Sequence, residues 1–169
     1  GRVDTMTYPS GLVVDYDYDL TGELFRVRAS GAGLALQDVI TNIEYFPMGP
    51  VSTFDFGNGE TREVKRDASY RPTELISGNH TRLTYTYDAN DNVLWINDHL
   101  SSANHRSHSY DLMERLSAHS GPDGSWSYSH NLNGDRETAQ KAGQGITDYV
   151  YSGPYLIDRT GGGINEHRS

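Results

Sequence analysis

YDYDLTGEL, Tyr16–Leu24, is the stretch that decides the fold. Side chains on a strand alternate between faces, so Tyr16 and Tyr18 place two rings on one face. Tyrosine suits a half-buried pleated surface. Asp19-x-x-Gly22 then reads as a turn. Aspartate accepts hydrogen bonds from nearby backbone N–H groups, and glycine takes positive φ without a Cβ clash. Leu24 opens a return strand. One copy of the motif is therefore a β-hairpin.

The motif recurs. YTYDANDNV runs from Tyr85 to Val93 and HSYDLMERL from His108 to Leu116. Taking the second aromatic as an anchor gives Tyr18, Tyr45, Arg66, Tyr87, Tyr110, His130 and Tyr151, spaced by 27, 21, 21, 23, 20 and 21 residues. Two residues before the anchors stand Tyr16, Ile43, Val64, Tyr85, His108, Tyr128 and Tyr149. Six residues after them stand Leu24, Val51, Pro72, Val93, Leu116, Arg136 and Ile157. Both columns are mostly apolar or aromatic. Asp19, Asp67, Asp88 and Asp111 follow their anchors, and Gly22, Gly49 and Gly134 hold the fourth position. Asp91 and Glu114 replace that glycine in two copies. Glutamate tolerates the left-handed region poorly, so the Glu114 turn is expected to differ in type. A period of this length signals a repeat array.

A second set of turns falls between the motifs: YPSG (Tyr8–Gly11), GNG (Gly57–Gly59), SGNH (Ser77–His80) and GPDG (Gly121–Gly124). Such Gly-containing turns between alternating runs are hairpin signals. STFDF pairs with ETREV around Gly57–Gly59, and RLSAHS pairs with SWSYSH around Gly121–Gly124. About fourteen short antiparallel strands follow, making a sheet roughly 65 Å wide. An open twisted sheet of that size curls or closes. The expected fold is all-β, a curved or spiralling open array of antiparallel hairpins. Residues 1–159 hold about seven repeats, and 160–169 form a flexible Gly-rich tail. Helical periodicity is nearly absent. GLALQDVIT (Gly33–Thr41), inside the one spacing of 27, reads as an insertion, either a short helix or an extended strand.

Tyrosine is the commonest large residue, with 12 copies against 4 Phe and 2 Trp, and hydrophobic content is 35%. Tyr suits a thin layer in which the ring is buried and the hydroxyl reaches water or a carbonyl. The net charge of −9 and the lack of basic runs beyond Lys65-Arg66 argue against a nucleic-acid surface. Zero cysteines exclude disulfides and thiolate chemistry. No signal peptide or membrane span is legible. A strand pattern that begins at once, without a polar cap, predicts a section of a longer array.

The residues give little chemistry. His105 and His108, three apart with His99 upstream, point to opposite strand faces and cannot converge on one ion. Zinc needs three or four converging ligands, and no metal, cofactor or catalytic residue is assigned. Asp15, Asp17 and Asp19 read as solvated or turn residues, without a calcium-loop pattern. No G-x-S-x-G elbow or phosphate loop is present. Asn79-His80-Thr81 fits a glycosylation acceptor at a turn. Trp95, Trp126 and Tyr85 are candidates for stacking on glycans, with half-buried sheet packing as the plainer reading.

The pattern Tyr-x-Tyr-Asp-x-x-Gly-x-Leu at about this spacing resembles the Rhs, or YD-repeat, family. The residues that carry the resemblance are Tyr16, Tyr18, Asp19, Gly22 and Leu24, then Tyr85, Tyr87, Asp88 and Val93, then Tyr110, Asp111 and Leu116. It covers residues 2–159. The resemblance implies a β-sheet that spirals into a hollow shell. In bacterial polymorphic toxins and insecticidal toxin complexes such a shell encloses a toxin; in animal teneurins a similar shell serves adhesion. The family's Asp-Pro plug has no counterpart, since the chain contains no Asp-Pro dipeptide, so no aspartate is carried over as a protease residue.

The function expected is a non-catalytic, structural section of such a shell, secreted or at a cell surface by the resemblance. Its partners are neighbouring repeats, a toxin cargo, or other copies pairing through open edge strands. The alternative is a carbohydrate-binding or adhesion module using exposed aromatics. An enzyme would need converging polar groups in a pocket.

Overall fold

The computed structural model describes residues 1–47, 49–161 and 164–167. The chain divides into two compact units, Gly1–Leu83 and a second from Thr84 onward. The first contains β1 (Thr5–Thr7), β2 (Leu12–Tyr18), β3 (Leu24–Gly31), β4 (Leu34–Tyr45), β5 (Val51–Phe56), β6 (Thr61–Arg66) and β7 (Pro72–Ser77). Strand β8 (Thr81–Tyr87) ends the first unit and begins the second. The second continues with β9 (Val93–Asp98), β10 (Arg106–Tyr110), β11 (Leu116–Gly121), β12 (Gly124–His130), β13 (Arg136–Lys141), β14 (Ile146–Ser152), β15 (Tyr155–Gly161) and β16 (Ile164–His167). In each unit the strand order is the order of the chain. Every register recorded is antiparallel, as between β2 and β3 or β12 and β13.

Sixteen strands among the described residues exceed the fourteen expected. The repeat columns fall where the period places them. Tyr18, Tyr45, Arg66, Tyr87, Tyr110 and His130 each end a strand; Leu24, Val51, Pro72, Val93, Leu116 and Arg136 each begin the next. The inter-motif pairings hold as well, with Phe54 opposite Arg62 and His119 opposite Trp126. The insertion resolves as extended strand, the first half of the 12-residue β4. A 3₁₀ turn, Ser102–Asn104, takes up the spacing of 23 residues between Tyr87 and Tyr110. Within the tail expected from residue 160, Gly161 ends β15 and Ile164–His167 pair with it. The expectation for residues 162, 163, 168 and 169 lies outside the described residues.

Most strand residues are half-buried. Among the described residues only Ala29, Ala139 and Thr147 are buried. Alternating apolar and polar positions along the strands of each unit's sheet give this profile. Stability must therefore come from the backbone ladder and from cross-strand contacts, each worth roughly 0.2–1 kcal/mol.

Candidate functional site

The repeated unit is a turn with three linked devices. The first is its backbone. Asp19 N–H donates to the Glu23 carbonyl and Gly22 N–H to the Asp19 carbonyl; the same two bonds recur at Phe46–Pro50, Asp67–Arg71, Asp88–Asn92, Asp111–Arg115 and Asn131–Asp135. This is a three-residue hairpin loop closed by a residue in the left-handed region. That residue is Gly22 (φ 93°), Tyr70 (62°), Asp91 (71°), Glu114 (61°) or Gly134 (94°). The Glu114 turn thus has the same form as the others, contrary to expectation. Five turns share this left-handed position, and glutamate is held in it by the bonds around Asp111.

The second device is a carboxylate cage. The Asp19 Oδ1 accepts from the backbone of Thr21, Gly22 and Glu23 at 2.7–2.9 Å. Asp67, Asp88 and Asp111 repeat the cage, each accepting two backbone N–H groups at 2.9–3.0 Å. The residue four further on reaches back to Oδ2: Arg71 at 2.7 Å, Asn92 at 3.1 Å and Arg115 at 2.7 Å. In the sixth turn the roles are exchanged, and Asn131 donates to Asp135 at 3.0 Å. These bonds favour the charged carboxylate. The Thr21 hydroxyl and then the backbone of Glu23 hold the Asp19 pKa below its usual value. At Asp111 the backbone bond from Arg115 does so first; burial opposes it, and the Arg115 side chain adds to the lowering. At Asp67 burial opposes the charge most, yet the bonds from Arg71 and Ser69 outweigh it.

The third device joins successive turns. The Tyr45 hydroxyl donates to the Leu24 carbonyl at 2.9 Å, and Tyr110 to Val93 at 3.0 Å. In each case an anchor tyrosine reaches the first residue of the preceding return strand. Tyr18 makes the corresponding bond to Val3 at 3.1 Å. Where Arg66 replaces the anchor, Tyr70 supplies the hydroxyl, bonding the Pro47 carbonyl at 2.8 Å. Arg115 Nη1 bridges to the Asn131 carbonyl at 2.6 Å, tying the fifth turn to the sixth.

A bulge accompanies five of these six turns. The register slips just before Tyr18, Tyr45, Arg66, Tyr110 and His130, leaving Phe25, Ser52, Thr73, Ser117 and Glu137 unpaired on the return strands. A bulge bends its strand and adds twist. The seventh copy differs: Ser152 pairs with Tyr155 across Gly153-Pro154, a tighter loop, and Tyr151 opposes Leu156 instead of Ile157.

The remaining candidates do not share one place. Tyr16 pairs with Val27 inside the first hairpin. Tyr85 is half-buried in β8. Trp95, 51% exposed, lies opposite Ser107, and Ser107 opposite Ser120, which faces Ser125. Trp126 follows Ser125 and so lies on the other face. There it stacks on Tyr128 at 6.4 Å between ring centroids and lies under Lys141 at 5.5 Å. Trp95 and Trp126 therefore offer no common platform.

Sequence reasoning missed two groupings. Asp17, expected to be solvated, takes Arg26 at 2.8 Å and Arg28 at 3.0 Å. His108 and His119 face each other across β10 and β11 with centroids 5.2 Å apart; His119 Nε2 is 3.1 Å from Asp123 Oδ1. Only the strand register brings these imidazoles together. Among the described residues, no three His, Cys, Asp or Glu side chains are placed to hold a metal ion. Nor is any helix there long and apolar enough to cross a membrane.

Turn, cage, bulge and tyrosine clasp together define a hairpin-repeat sheet, whose repeated residues hold strands in register. Comparison with known proteins agrees at the level of fold. The structure is similar to the Photorhabdus luminescens Tc holotoxin pore, with a TM-score of 0.83 at 16% identity, over 95% of this chain and 10% of that one. It is similar also to the crystal structures of TcdB2-TccC3-TEV (TM-score 0.67, 20% identity, 94% of this chain and 8% of that one) and TcdB2-TccC3-Cdc42 (0.66, 18%, 97% and 9%). This chain thus spans about a tenth of the length of the structures it resembles. No protein-family model matches it, and no curated protein sequence matches it.

Proposed function

We propose that this chain is a stretch of wall in an Rhs-type shell that encloses a toxin or other cargo, and that it acts by confinement without catalysis of its own. The observation that carries the reading is the clasp from anchor tyrosines to the preceding return strand, Tyr45 to Leu24 and Tyr110 to Val93. It lets each hairpin add to the last along a continuous backbone ladder. The likeness in fold to the Tc holotoxin pore supports the same reading. Its partners are neighbouring repeats and the cargo, and its place is outside the cell that makes it. Self-association through edge strands is part of the same reading.

The test is limited proteolysis of the longest natural chain that carries these residues. A protected fragment beyond the repeats should survive, and should become cleavable when Tyr45→Phe, Tyr110→Phe and Arg115→Ala are combined. Cleavage of everything outside the repeats at the same rate with and without the substitutions would sink the reading. The adhesion alternative rests on Trp95, the exposed ring of the three candidates; a glycan array with the Trp95→Ala chain as control decides it.

A further inference from the structure

The insertion in the second repeat builds an overhang. Leu34–Asp38 of β4 pair with β3 on one side, through Gly31 opposite Leu34, Ala29 opposite Gln37 and Arg28 opposite Asp38. On the other side β5 begins its register only at Ile40, opposite Phe56. The last bond toward β5 runs from Gly57 N–H to the Val39 carbonyl at 2.9 Å. A Cβ at Gly57 would run into the Asp38 carbonyl, so this glycine lets the turn come up against the strand and end the ladder. Five residues of extended backbone continue past it. All are exposed, with Leu36 at 57%. They flank an open notch of about 590 Å³ lined by Gln37, Asp38, Val39, Phe56, Gly57 and Glu60 among others.

Open strand edges are templates for another strand, and proteins blunt them with lysine or proline. LALQD carries neither. We infer that this overhang pairs antiparallel with the same overhang of a second copy, the two Leu36 residues meeting at the two-fold axis. The segment complements itself in that register. Leu34 of one copy lies beside Asp38 of the other, so the two carboxylates stay apart and Leu36 is covered by Leu36. The lengths agree too: five residues separate the Gly33 tip from Val39, and each tip reaches the other copy's Gly57 turn. Gly33 brings no side chain to that corner, and a Cβ there would meet nothing within 4 Å. Two register slips of β4 against β3 add local twist, which limits the ladder to this segment. The pairing is isologous and closes at a dimer. It is small, hence weak and concentration-dependent. It stands apart from the shell reading and from any pairing of the terminal strands.

Sedimentation equilibrium of the whole chain tests it. Average mass should rise with concentration, and rise further in high salt, because each copy carries a net charge of −9 that salt screens. Leu36→Lys should weaken the dimer by at least about tenfold, whereas Leu20→Lys, at a fully exposed turn tip, should leave it unchanged. The chain has no cysteine, so Leu36→Cys offers one thiol for a short bis-maleimide. Opposed Cβ atoms in such a pair lie about 4.5–5.5 Å apart, so crosslinked dimer should form at Cys substituted for Leu36 and not at Cys substituted for Leu20. A wild-type mass independent of concentration, or a dimer indifferent to Leu36→Lys and not crosslinked through Leu36→Cys, would overturn the inference. So would a monomer whose Leu34–Asp38 amide signals shift only when an extended peptide of alternating valine and lysine is added, which would give the edge to a foreign strand.

Discussion

Tyr45 donates its phenolic hydrogen to the carbonyl of Leu24 at 2.9 Å, 21 residues back along the chain. The donor ends one repeat's outgoing strand and the acceptor opens the preceding repeat's return strand. Burial, and then the Glu23 carboxylate, push the Tyr45 phenol up from its ordinary pKa, so it stays a donor through the physiological range. The same relationship joins Tyr110 to Val93.

Removing that one hydroxyl tests its weight. Tyr45→Phe keeps the ring and leaves the Leu24 carbonyl without this donor. The expected cost is about 1 kcal/mol, the usual net worth of one such bond. Tyr110→Phe should cost about the same, and because the two clasps share no partner the losses should add within about 0.5 kcal/mol. Urea denaturation of the two single variants and the double variant reads both numbers.

The left-handed turn position gives a pair of opposite signs. Glu114 stands at φ 61° and Gly134 at φ 94° in equivalent turns. A side chain in that region costs about 1–2 kcal/mol. Glu114→Gly should therefore stabilise the chain, and Gly134→Ala should destabilise it, each by about 1 kcal/mol. No packing change obscures the second, since a Cβ at Gly134 meets nothing within 4 Å. Thermal melts of both variants, moving in opposite directions, check it.

Arg115 is the most connected of the back-reaching residues. It bonds Asp111 Oδ2 at 2.7 Å and crosses to the Asn131 carbonyl at 2.6 Å. Arg115→Ala should cost about 1–3 kcal/mol. Lysine offers a single point of donation in place of the planar fork, so Arg115→Lys should recover less than about half of the loss in denaturant titrations.

Much of this array is legible in the sequence, because its anchors recur as residue types. Tyr18 and Leu24, or Tyr110 and Leu116, mark strand ends six residues apart. Two features are not legible that way. The bulge falls on Phe25, Ser52, Thr73, Ser117 and Glu137; an unpaired residue demands backbone freedom and no particular side chain, so its column has no pattern. The back-reaching column holds Arg71, Asn92, Arg115 and Asp135, and its chemistry is visible only beside the first turn residue. Where that residue is Asp the partner donates, and where it is Asn131 the partner accepts. Reading the two positions together was the available signal. For His108 and His119, 11 residues apart, only the register could show the pair.

That pair sets the last expectation, a two-stage response to acid. Burial, then the neighbouring His119 and Arg106, hold His108 below its ordinary pKa of 6.5. A depressed value means the folded state favours the neutral ring. Its contribution is complete above 6.5 and is lost as pH falls through the lower folded value. The turn aspartates act in a later window. Asp19, Asp67 and Asp111 titrate below their ordinary value of 3.8 when folded. Their contribution is complete above that value and is lost as pH falls through the lower one. Stability measured by urea against pH should therefore drop slightly below neutrality and steeply below about pH 4. His108→Phe should abolish the first drop and leave the second. A single drop in the wild-type chain, or a first drop unchanged in His108→Phe, would show that the imidazole pair does not contribute.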